Sequence, residues 1–453
     1  MARLAEQAIL RQLADLSASA KGLFWVAYSG GLDSQLLLHF CQKALPSARL
    51  RAIHINHALS PKADAWQKHC QDYCTLHNIE FETRKVKISH SDGNLELQAR
   101  QARYEVFSSL VREGDCILMA HHQDDQMETV LYRLLRGSGP KGLAGIPAKR
   151  ALVKGTLLRP LLAYTKVELT EYAKQAGLFW VEDESNSDIS FDRNLLRQVI
   201  IPSIKTRWPS AGKSIQRSAE LLAESEQLLH ALAMMDAGDF IATQKTDFPL
   251  ELMAGKDLPR QRNVLRFWFQ SLLEAYAIPM PGFEELRCIV EEMIPAPADA
   301  KPLISWRQDE TTIDLRRFAN KLFVLKNFPR DFKPTLHPVI PGMAIELGFN
   351  LGKVTLEETS TGGVLYQEGD ELEIRFDCTQ SEAKPAGRKT RSFKKIFQDY
   401  GVPPWLRDRI PLLFVNQKLA AVGDLFVCQN LAAKSGQTQL KINWQRADVY
   451  CGY

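Results

Sequence analysis

The 453-residue sequence lacks the features that mark several large classes of protein. No run of apolar residues approaches the ~20 needed to span a bilayer, which argues against a membrane protein. The start, residues 1–10, carries Arg3 and Glu6 and lacks the apolar core of a signal peptide. The eight cysteines are scattered, without the spacing of a disulfide framework. We therefore expect a reduced, cytoplasmic protein that does not enter a membrane.

An excess of one charge is also absent, because the formal net charge is only +4. The basic residues are nevertheless clustered. Eight Lys or Arg and no acidic residue lie between Arg133 and Lys166, and eight lie between Lys384 and Arg409 against two acidic residues. Clustered positive charge is typical of a surface that binds a polyanion. Two solvated faces would give the same pattern, so charge alone does not decide.

The pattern of apolar residues predicts an α/β fold. Strand-like and helix-like segments alternate from 24 to 136, which predicts a Rossmann-like parallel sheet with helices on both faces. Further predicted elements are helices over 213–235, 258–276 and 282–293, a strand pair over 311–326, a Pro-rich linker over 331–342 and one basic helix among short strands near the C-terminus. We predict an N-terminal domain over 1–212, a mainly helical domain over 213–330 and a small α+β domain over 345–453.

The hexapeptide Ser29-Gly30-Gly31-Leu32-Asp33-Ser34 joins a predicted strand directly to a predicted helix. Glycines let the backbone turn tightly, and a helix start offers free N–H groups to an anion, although such a turn can also be a plain connector. The Asp33 carboxylate would repel phosphate unless a cation lay between them, so it indicates Mg²⁺. The hexapeptide is not a Walker loop. It resembles the PP-loop of ATP pyrophosphatases, so we predict that it binds ATP.

A second motif, residues 121–129, lies where a predicted buried strand passes into a predicted helix. Asp125 and Glu128 are three residues apart and therefore share one helix face. Such a pair at the carboxyl end of a parallel sheet could hold an ammonium group or a metal. His121 and His122 beside it could complete a zinc site, although the spacing fits no standard zinc pattern. The simpler alternative is an acidic helix start that favours the helix dipole.

Three further clusters carry basic side chains that suit phosphate groups. They are Arg100 with Arg103 and Tyr104, the loop 136–143 with Arg136 and Lys141, and the acidic segment 182–186 followed by Arg193, Asn194 and Arg197. A solvated helix face would explain the first of these clusters equally well.

The order of motifs along the chain resembles that of the tRNA(Ile)-lysidine synthetase family. The motifs are SGGLDS, HINHALS (54–60), GNLELQARQARY (93–104), HHQDDQMET, RGSGPKGL (136–143), RPLL (159–162) and EDESNSDISFDRNLLR (182–197). The stretch 385–412 resembles the C-terminal domain of the same family. The chain departs from the family pattern in two places. Ala58 stands where Gly is usual, and Asp377-Cys378 replaces a more usual Gly-Gly.

This resemblance implies a carbon–nitrogen ligase that uses ATP and Mg²⁺. Its substrates would be a tRNA(Ile) with a CAU anticodon, whose wobble cytidine is adenylated on the C2 oxygen, and free L-lysine, which then displaces AMP to form lysidine. Residues 1–212 would be the catalytic domain and the two later domains would bind tRNA.

The roles expected from this resemblance fall in four groups. They are catalysis by Asp33, Asp125, Glu128 and Arg197, ATP binding by the hexapeptide and Arg100, lysine binding by Asp125 and Glu128, and tRNA binding by Arg136, Lys141, Arg193, Asn194, Arg388, Lys389, Lys394 and Lys395.

Three alternatives remain open at this point. A PP-loop tRNA thiolase would need a catalytic or cluster-binding cysteine, and the nearest candidates are Cys70 and Cys74, four apart on a predicted helix. A PP-loop synthetase acting on a small molecule would not need two basic stretches. A non-enzymatic RNA-binding module would not need the intact hexapeptide or the Asp125/Glu128 pair.

Overall fold

The computed structural model describes residues 2–58, 60–86, 95–182, 189, 191–297, 300–333, 336–349, 351–376, 382–434 and 436–446. Several predicted features lie outside the described residues: Leu59 of HINHALS, Gly93 and Asn94, residues 183–188 of the acidic segment, and Asp377-Cys378. The chain divides into two compact units, Met1–Leu228 and Leu229–Tyr453. None of the described helices is long and apolar enough to cross a membrane.

The helices and strands of the first unit follow the predicted alternation. The helices are α1 (Ala2–Ser19), α2 (Leu32–Ala44), α3 (Ala63–Leu76), α4 (Leu95–Leu110), α5 (Gln123–Leu135), α6 (Pro140–Leu143), α7 (Lys166–Gln175), α8 (Asp192–Leu195), α9 (Ile201–Arg207) and the start of α10 (Ala211–Ile241). The strands are β1 (Phe24–Ala27), β2 (Leu50–Asn56), β3 (Glu80–Lys85), β4 (Cys116–Leu118), β5 (Lys149–Leu152) and β6 (Gly155–Leu158). A π-helical segment, Leu196–Ile200, joins α8 to α9.

The strands form one sheet in the order β3-β2-β1-β4-β6-β5. All neighbouring strands are parallel except β5, which runs antiparallel to β6. The predicted parallel α/β sheet is therefore confirmed. Because the chain adds β2 and β3 on one side of β1 and then places β4 on the other, the strand order reverses between β1 and β4. Ligands of open α/β sheets bind at the carboxyl ends of the strands beside such a point.

Side chains of β1 alternate between two cores, as the pleat of a strand requires. Phe24 and Val26 pack in one core with Leu36 of α2, whereas Trp25 packs in the other with Phe107 of α4. Helices therefore cover both faces of the sheet. This packing fixes the starts of α2 and α5 at the same edge of the sheet.

The second unit combines helices with several small sheets. Its helices are the end of α10, α11 (Leu258–Tyr276), α12 (Phe283–Cys288), which a π-helical segment Ile289–Met293 extends, and α13 (Phe393–Asp399). Its strands are β7 (Asp247–Pro249), β8 (Leu303–Gln308), β9 (Thr311–Phe318), β10 (Lys321–Lys326), β11 (His337–Pro338), β12 (Ile345–Glu346), β13 (Lys353–Thr359), β14 (Val364–Leu365), β15 (Leu372–Arg375), β16 (Glu382–Ala383), β17 (Arg391–Ser392), β18 (Leu412–Val415), β19 (Lys418–Val422), β20 (Phe426–Val427) and β21 (Gln439–Gln445).

The helices predicted in the middle of the chain are present, and the predicted strand pair is the hairpin β9–β10. That hairpin belongs to a four-stranded sheet, β7-β10-β9-β8, which packs against α11 around the buried Trp268. Farther along the chain, the sheets β11-β15-β18-β19-β20 and β12-β13-β21-β14 share one core with Ile396 and Phe397 of α13. The predicted α+β character of the C-terminal region is thus visible.

Candidate active site

The hexapeptide forms the turn from β1 into α2. Gly30 has φ +85°, a conformation that favours glycine, and a Cβ there would lie 3.0 Å from Sγ of Cys70. The N–H of Ser29 donates to Oγ of Ser34 at 3.1 Å, which closes the turn. The N-cap residue of α2 is Gly31, which has no side chain to accept hydrogen bonds from the first helical turn. The start of α2 is therefore suited to an external anion.

Asp33 lies where the starts of three helices meet. It belongs to the first turn of α2, and Lys166, the first residue of α7, places Nζ 2.6 Å and 2.7 Å from its two carboxylate oxygens. The N-cap residue of α5, His122, has Nε2 3.7 Å from Oδ2 of Asp33. The two motifs that follow β1 and β4 are thus in contact, as their position at the reversal of strand order predicts.

Asp125 and Glu128 share one face of α5, and Arg197 joins them. Nε and Nη2 of Arg197 donate to the two carboxylate oxygens of Glu128 at 2.6 Å and 2.9 Å, and Nη2 lies 3.4 Å from Oδ1 of Asp125. Glu128 is only 3% exposed. Burial raises the pKa of Glu128 above its ordinary value, and the hydrogen bonds from Arg197 offset only part of this rise. The structure therefore brings three predicted catalytic residues into one cluster.

That cluster is continuous with the Asp33 site. The backbone N–H of His122 donates to Oδ2 of Asp125 at 2.9 Å, and the N–H of Asp125 donates to Nδ1 of His122 at 3.4 Å. Contacts thus run from Asp33 through His122 to Asp125 and on to Arg197. The hexapeptide and the pair of carboxylates are therefore parts of one continuous set of contacts.

The zinc alternative is not supported by the contacts of the two histidines. His122 caps α5, and His121 accepts a hydrogen bond at Nδ1 from Nε of Arg159 at 3.2 Å. Burial, together with the nearby positive charge of Arg159, lowers the pKa of His121 to about 3. Among the described residues, no group of three or more His, Cys, Asp or Glu side chains is arranged to hold a metal.

Arg159 of the RPLL motif organises a second cluster, whose contacts the sequence did not predict. It is 4% exposed, and Nη1 donates to the carbonyl of Pro147 at 2.6 Å while Nη2 donates to the hydroxyl of Tyr104 at 3.3 Å. Arg100 and Arg150 lie 5.2 Å and 4.7 Å from the centre of the Tyr104 ring. Arg100 therefore packs beside Tyr104, and the part of the chain that is described shows it making no contact with the hexapeptide. Its role in ATP binding stays a prediction.

Two of the residues predicted to bind tRNA meet at Tyr132 of α5. Nη1 of Arg136 donates to the Tyr132 hydroxyl at 2.7 Å, and the guanidinium groups of Arg136 and Arg193 lie 5.3 Å and 5.9 Å from the ring centre. Tyr132 is seven residues beyond Asp125, so it lies on the same helix face about 10 Å farther along. Lys141 is exposed on α6, and Asn194 follows Arg193 on α8. A basic surface therefore adjoins the acidic pair.

The four basic residues predicted to bind tRNA in the second unit are all exposed: Arg388, Lys389, Lys394 and Lys395. Helix α13 buries Ile396 and Phe397, so it leaves the two lysines on the opposite face, as the helical spacing predicts. The Arg388 guanidinium lies 5.2 Å from the ring centre of Tyr400.

The cysteines considered for a thiolase are part of the core. Cys70 and Cys74 lie on α3, and both are fully buried beneath the sheet. Burial raises the pKa of both thiols, that of Cys74 to about 12. A protonated, buried thiol is a poor nucleophile and a poor metal ligand.

Ala58, at the position where Gly is more usual, has φ +53°. Its N–H donates to Oδ1 of Asn56 at 2.9 Å, and this local hydrogen bond supports the left-handed turn. The substitution therefore changes backbone strain near the end of β2 rather than a functional side chain.

Comparison with known proteins defines the class of the first unit. Residues 4–204 match the family described as PP-loop domain. Together with the parallel sheet and the hexapeptide, this match makes the chain a PP-loop protein. Residues 248–323 match the TilS substrate binding domain, and residues 372–444 match the TilS substrate C-terminal domain.

Several proteins similar to this chain carry one name, tRNA(Ile)-lysidine synthase. The protein from Coxiella burnetii is 37% identical over 420 residues, 91% of this chain and 90% of its own length. The protein from Legionella pneumophila strain Paris is 38% identical over 416 residues (89% and 93%), and that from Yersinia pseudotuberculosis serotype O:1b is 36% identical over 446 residues (93% and 95%). The chain belongs to the tRNA(Ile)-lysidine synthase family.

Proposed function

We propose that this chain joins free L-lysine to C2 of the wobble cytidine in the CAU anticodon of tRNA(Ile). ATP first adenylates the C2 oxygen and releases pyrophosphate, and the ε-amino group of lysine then displaces AMP to form lysidine. The observation that carries this proposal is the series of contacts from Asp33 of the PP-loop through His122 to the Asp125/Glu128/Arg197 cluster, in a chain that belongs to this family. The reaction makes the enzyme a carbon–nitrogen ligase.

ATP and Mg²⁺ fit the residues around Asp33. The start of α2 and the Gly30 turn suit a phosphate group that approaches the backbone closely. Mg²⁺ is usually held by one or two carboxylates together with substrate phosphates, so a single part-exposed carboxylate suffices. The ion pair with Lys166 indicates that a cation is stable beside Asp33. Mg²⁺ bound there would neutralise charge on the polyphosphate.

Lysine fits the acidic cluster by charge. Two carboxylates and one guanidinium carry a net charge of −1, whereas free lysine at neutral pH has two ammonium groups and one carboxylate. Arg197 binds Asp125 less closely than it binds Glu128. Its Nη2 lies 3.4 Å from Oδ1 of Asp125, whereas its Nε lies 2.6 Å from Oε1 of Glu128. We therefore expect Asp125 to make the first contact with an ammonium group and Arg197 to remain available to the carboxylate of lysine.

The basic surfaces suit an RNA substrate. Chemistry on a base requires an unstacked nucleotide, which an anticodon loop supplies. The guanidinium groups of Arg136 and Arg193 pack against Tyr132, which lies about 10 Å along α5 from Asp125, a distance suited to neighbouring phosphates. We also propose that residues 1–212 form the catalytic domain, with tRNA-binding domains over 213–330 and 345–453.

AMP release under defined conditions tests this proposal. The full chain is incubated with MgATP, L-lysine and a CAU-anticodon tRNA(Ile) transcript, and each component is omitted in turn. We expect AMP to accumulate with turnover only when all three are present, and to be lost when the wobble cytidine of the transcript is changed to uridine. Rapid AMP formation without tRNA would instead indicate a synthetase acting on a small molecule, and a requirement for a sulfur donor would indicate a thiolase.

A further inference from the structure

Lys166 belongs to none of the motifs discussed above, yet it makes the closest contact to Asp33. Its ammonium group bridges both carboxylate oxygens of Asp33, which lies 133 residues earlier in the sequence. The Lys166 and Asp33 side chains are 39% and 29% exposed, so both reach solvent at the edge of the sheet where the hexapeptide turns.

The backbone of Lys166 is held firmly. Thr165 and Glu168 form reciprocal hydrogen bonds at the start of α7, so the Glu168 carboxylate is used within the helix cap. Leu169 and Ala173 of α7 are buried in the core that contains α2, and the Tyr172 ring lies 4.9 Å from that of Phe40. The packing of α7 against α2 therefore fixes the backbone of Lys166 close to Asp33.

Stability alone gives little reason for this ion pair. Part-exposed pairs of a lysine and an aspartate contribute between zero and about 1 kcal/mol, because solvent screens them. The position has a clearer electrostatic meaning. A carboxylate inside an anion-binding loop repels phosphate, and Lys166 cancels that charge while no other cation is present.

We propose that Lys166 is a phosphate-binding residue of the ATP site that exchanges partners. In the ATP-free chain its ammonium group neutralises Asp33, and when MgATP binds, Asp33 turns to Mg²⁺ while Lys166 contacts the β- or γ-phosphate. Lysine suits this exchange because its ammonium is a compact charge with three donors on a flexible stem. The inference rests on the proposed function only in taking ATP as the ligand.

Nucleotide binding distinguishes this role from a structural one. Binding of MgATP, of pyrophosphate with Mg²⁺ and of AMP is measured by calorimetry for the wild type and for Lys166→Met, which keeps the apolar stem and removes the charge. We expect MgATP and pyrophosphate to bind about ten- to a hundredfold more weakly, which is the size of a lost charge-assisted hydrogen bond. AMP should bind within about twofold of wild type, because it lacks the two phosphates concerned. The matched control is Lys174→Met, an exposed lysine at the end of the same helix, which should bind all three as wild type does.

The first of a second pair of variants should strengthen pyrophosphate binding rather than weaken it. In Asp33→Asn the ammonium of Lys166 loses its partner, so metal-free pyrophosphate, measured in the presence of EDTA, should bind more tightly than to wild type. Adding Lys166→Met to Asp33→Asn should abolish this gain. Equal weakening of ATP and AMP in Lys166→Met, or no gain in Asp33→Asn, would overturn the inference. None of these measurements uses tRNA or lysine. A failure of the proposed function would give a different result: the variants would change binding of MgATP and pyrophosphate as expected here, but the wild type would release no AMP in response to lysine.

Discussion

Replacing Arg197 with methionine should destabilise the protein, and the loss should grow as the pH rises. Arg197 makes two hydrogen bonds to Glu128, whose carboxylate is almost completely buried. Methionine keeps much of the apolar stem but leaves the buried carboxylate without its cation. The loss in free energy of unfolding then depends on whether Glu128 is protonated.

The magnitude follows from burial and exposure of the two partners. Removing one partner of a fully buried ion pair costs about 3–5 kcal/mol. The Arg197 side chain is 44% exposed, so water screens the pair and we expect about 2 kcal/mol at pH 8. The pKa of Glu128 is already raised by burial, and it rises further when the Arg197 hydrogen bonds are lost. The Glu128 carboxyl then binds its proton more tightly in the folded variant than in the unfolded chain. The loss of stability is therefore complete above the folded-state pKa and decreases as the pH falls toward the unfolded-state pKa near 4.5.

Urea unfolding of the full chain, followed by fluorescence at pH 8 and pH 5, measures this difference. Contributions common to wild type and variant cancel when the two free energies of unfolding are subtracted at each pH. The matched control repeats the comparison in a Glu128→Gln background. The single variant Glu128→Gln is compared with the double variant that also carries Arg197→Met, and because neither protein has the Glu128 carboxyl, their difference should not depend on pH. An equal loss for Arg197→Met at both pH values would refute this description of the Glu128 environment.

Four further predictions concern separate parts of the chain. Asp33→Ala should abolish AMP formation while circular dichroism and tRNA affinity stay close to wild type, and retention of a tenth of wild-type turnover would be incompatible with a role in holding Mg²⁺. Glu128→Gln should raise the KM for lysine strongly while adenylation of tRNA persists, so an unchanged lysine dependence would remove this residue from the lysine site. Burial lowers the pKa of His121 from 6.5 to about 3, so between these values the unfolded chain binds more protons and the protein loses stability on acidification. His121→Asn should therefore reduce the loss of unfolding free energy between pH 7 and pH 5 by about 1–2 kcal/mol, measured by urea unfolding. An undiminished loss of stability would contradict a buried, neutral His121. Neutral substitution of four exposed basic residues of the second unit should weaken binding of full-length tRNA and flatten its salt dependence, with little effect on a saturating anticodon stem-loop, and an unchanged salt slope would count against a role in tRNA binding. These four residues are Arg388, Lys389, Lys394 and Lys395.

Local sequence patterns were sufficient to predict the architecture of the first unit. The alternation of apolar residues reflects burial on a strand or a helix face, and burial is a local property of the chain. Once a parallel sheet is predicted, motifs that follow two of its strands are expected at one edge, and the 3.7 Å contact of Asp33 with His122 agrees with this. The sharing of a helix face by Asp125 and Glu128 likewise depends only on their spacing.

The contacts that give the site its charge could not be predicted in this way. Lys166 is one of eight basic residues in its stretch, and its partner is distant in sequence, so only the packing of α7 against α2 selects it. The contact of Arg159 with His121 and Tyr104 depends in the same way on how β6, β4 and α4 pack. In the second unit, strands of two or three residues such as β7 and β11 are too short to produce an alternating pattern.

Mass spectrometry of the modified nucleoside tests the proposed activity most directly. A CAU-anticodon tRNA(Ile) transcript is incubated with the full chain, MgATP and isotopically labelled L-lysine, then digested to nucleosides. We predict that the wobble cytidine gains the mass of one lysine less one water, and that the gain carries the whole label. An unmodified wobble cytidine, or a modified nucleoside that contains sulfur and no label, would contradict the assignment of this chain as a lysidine-forming ligase.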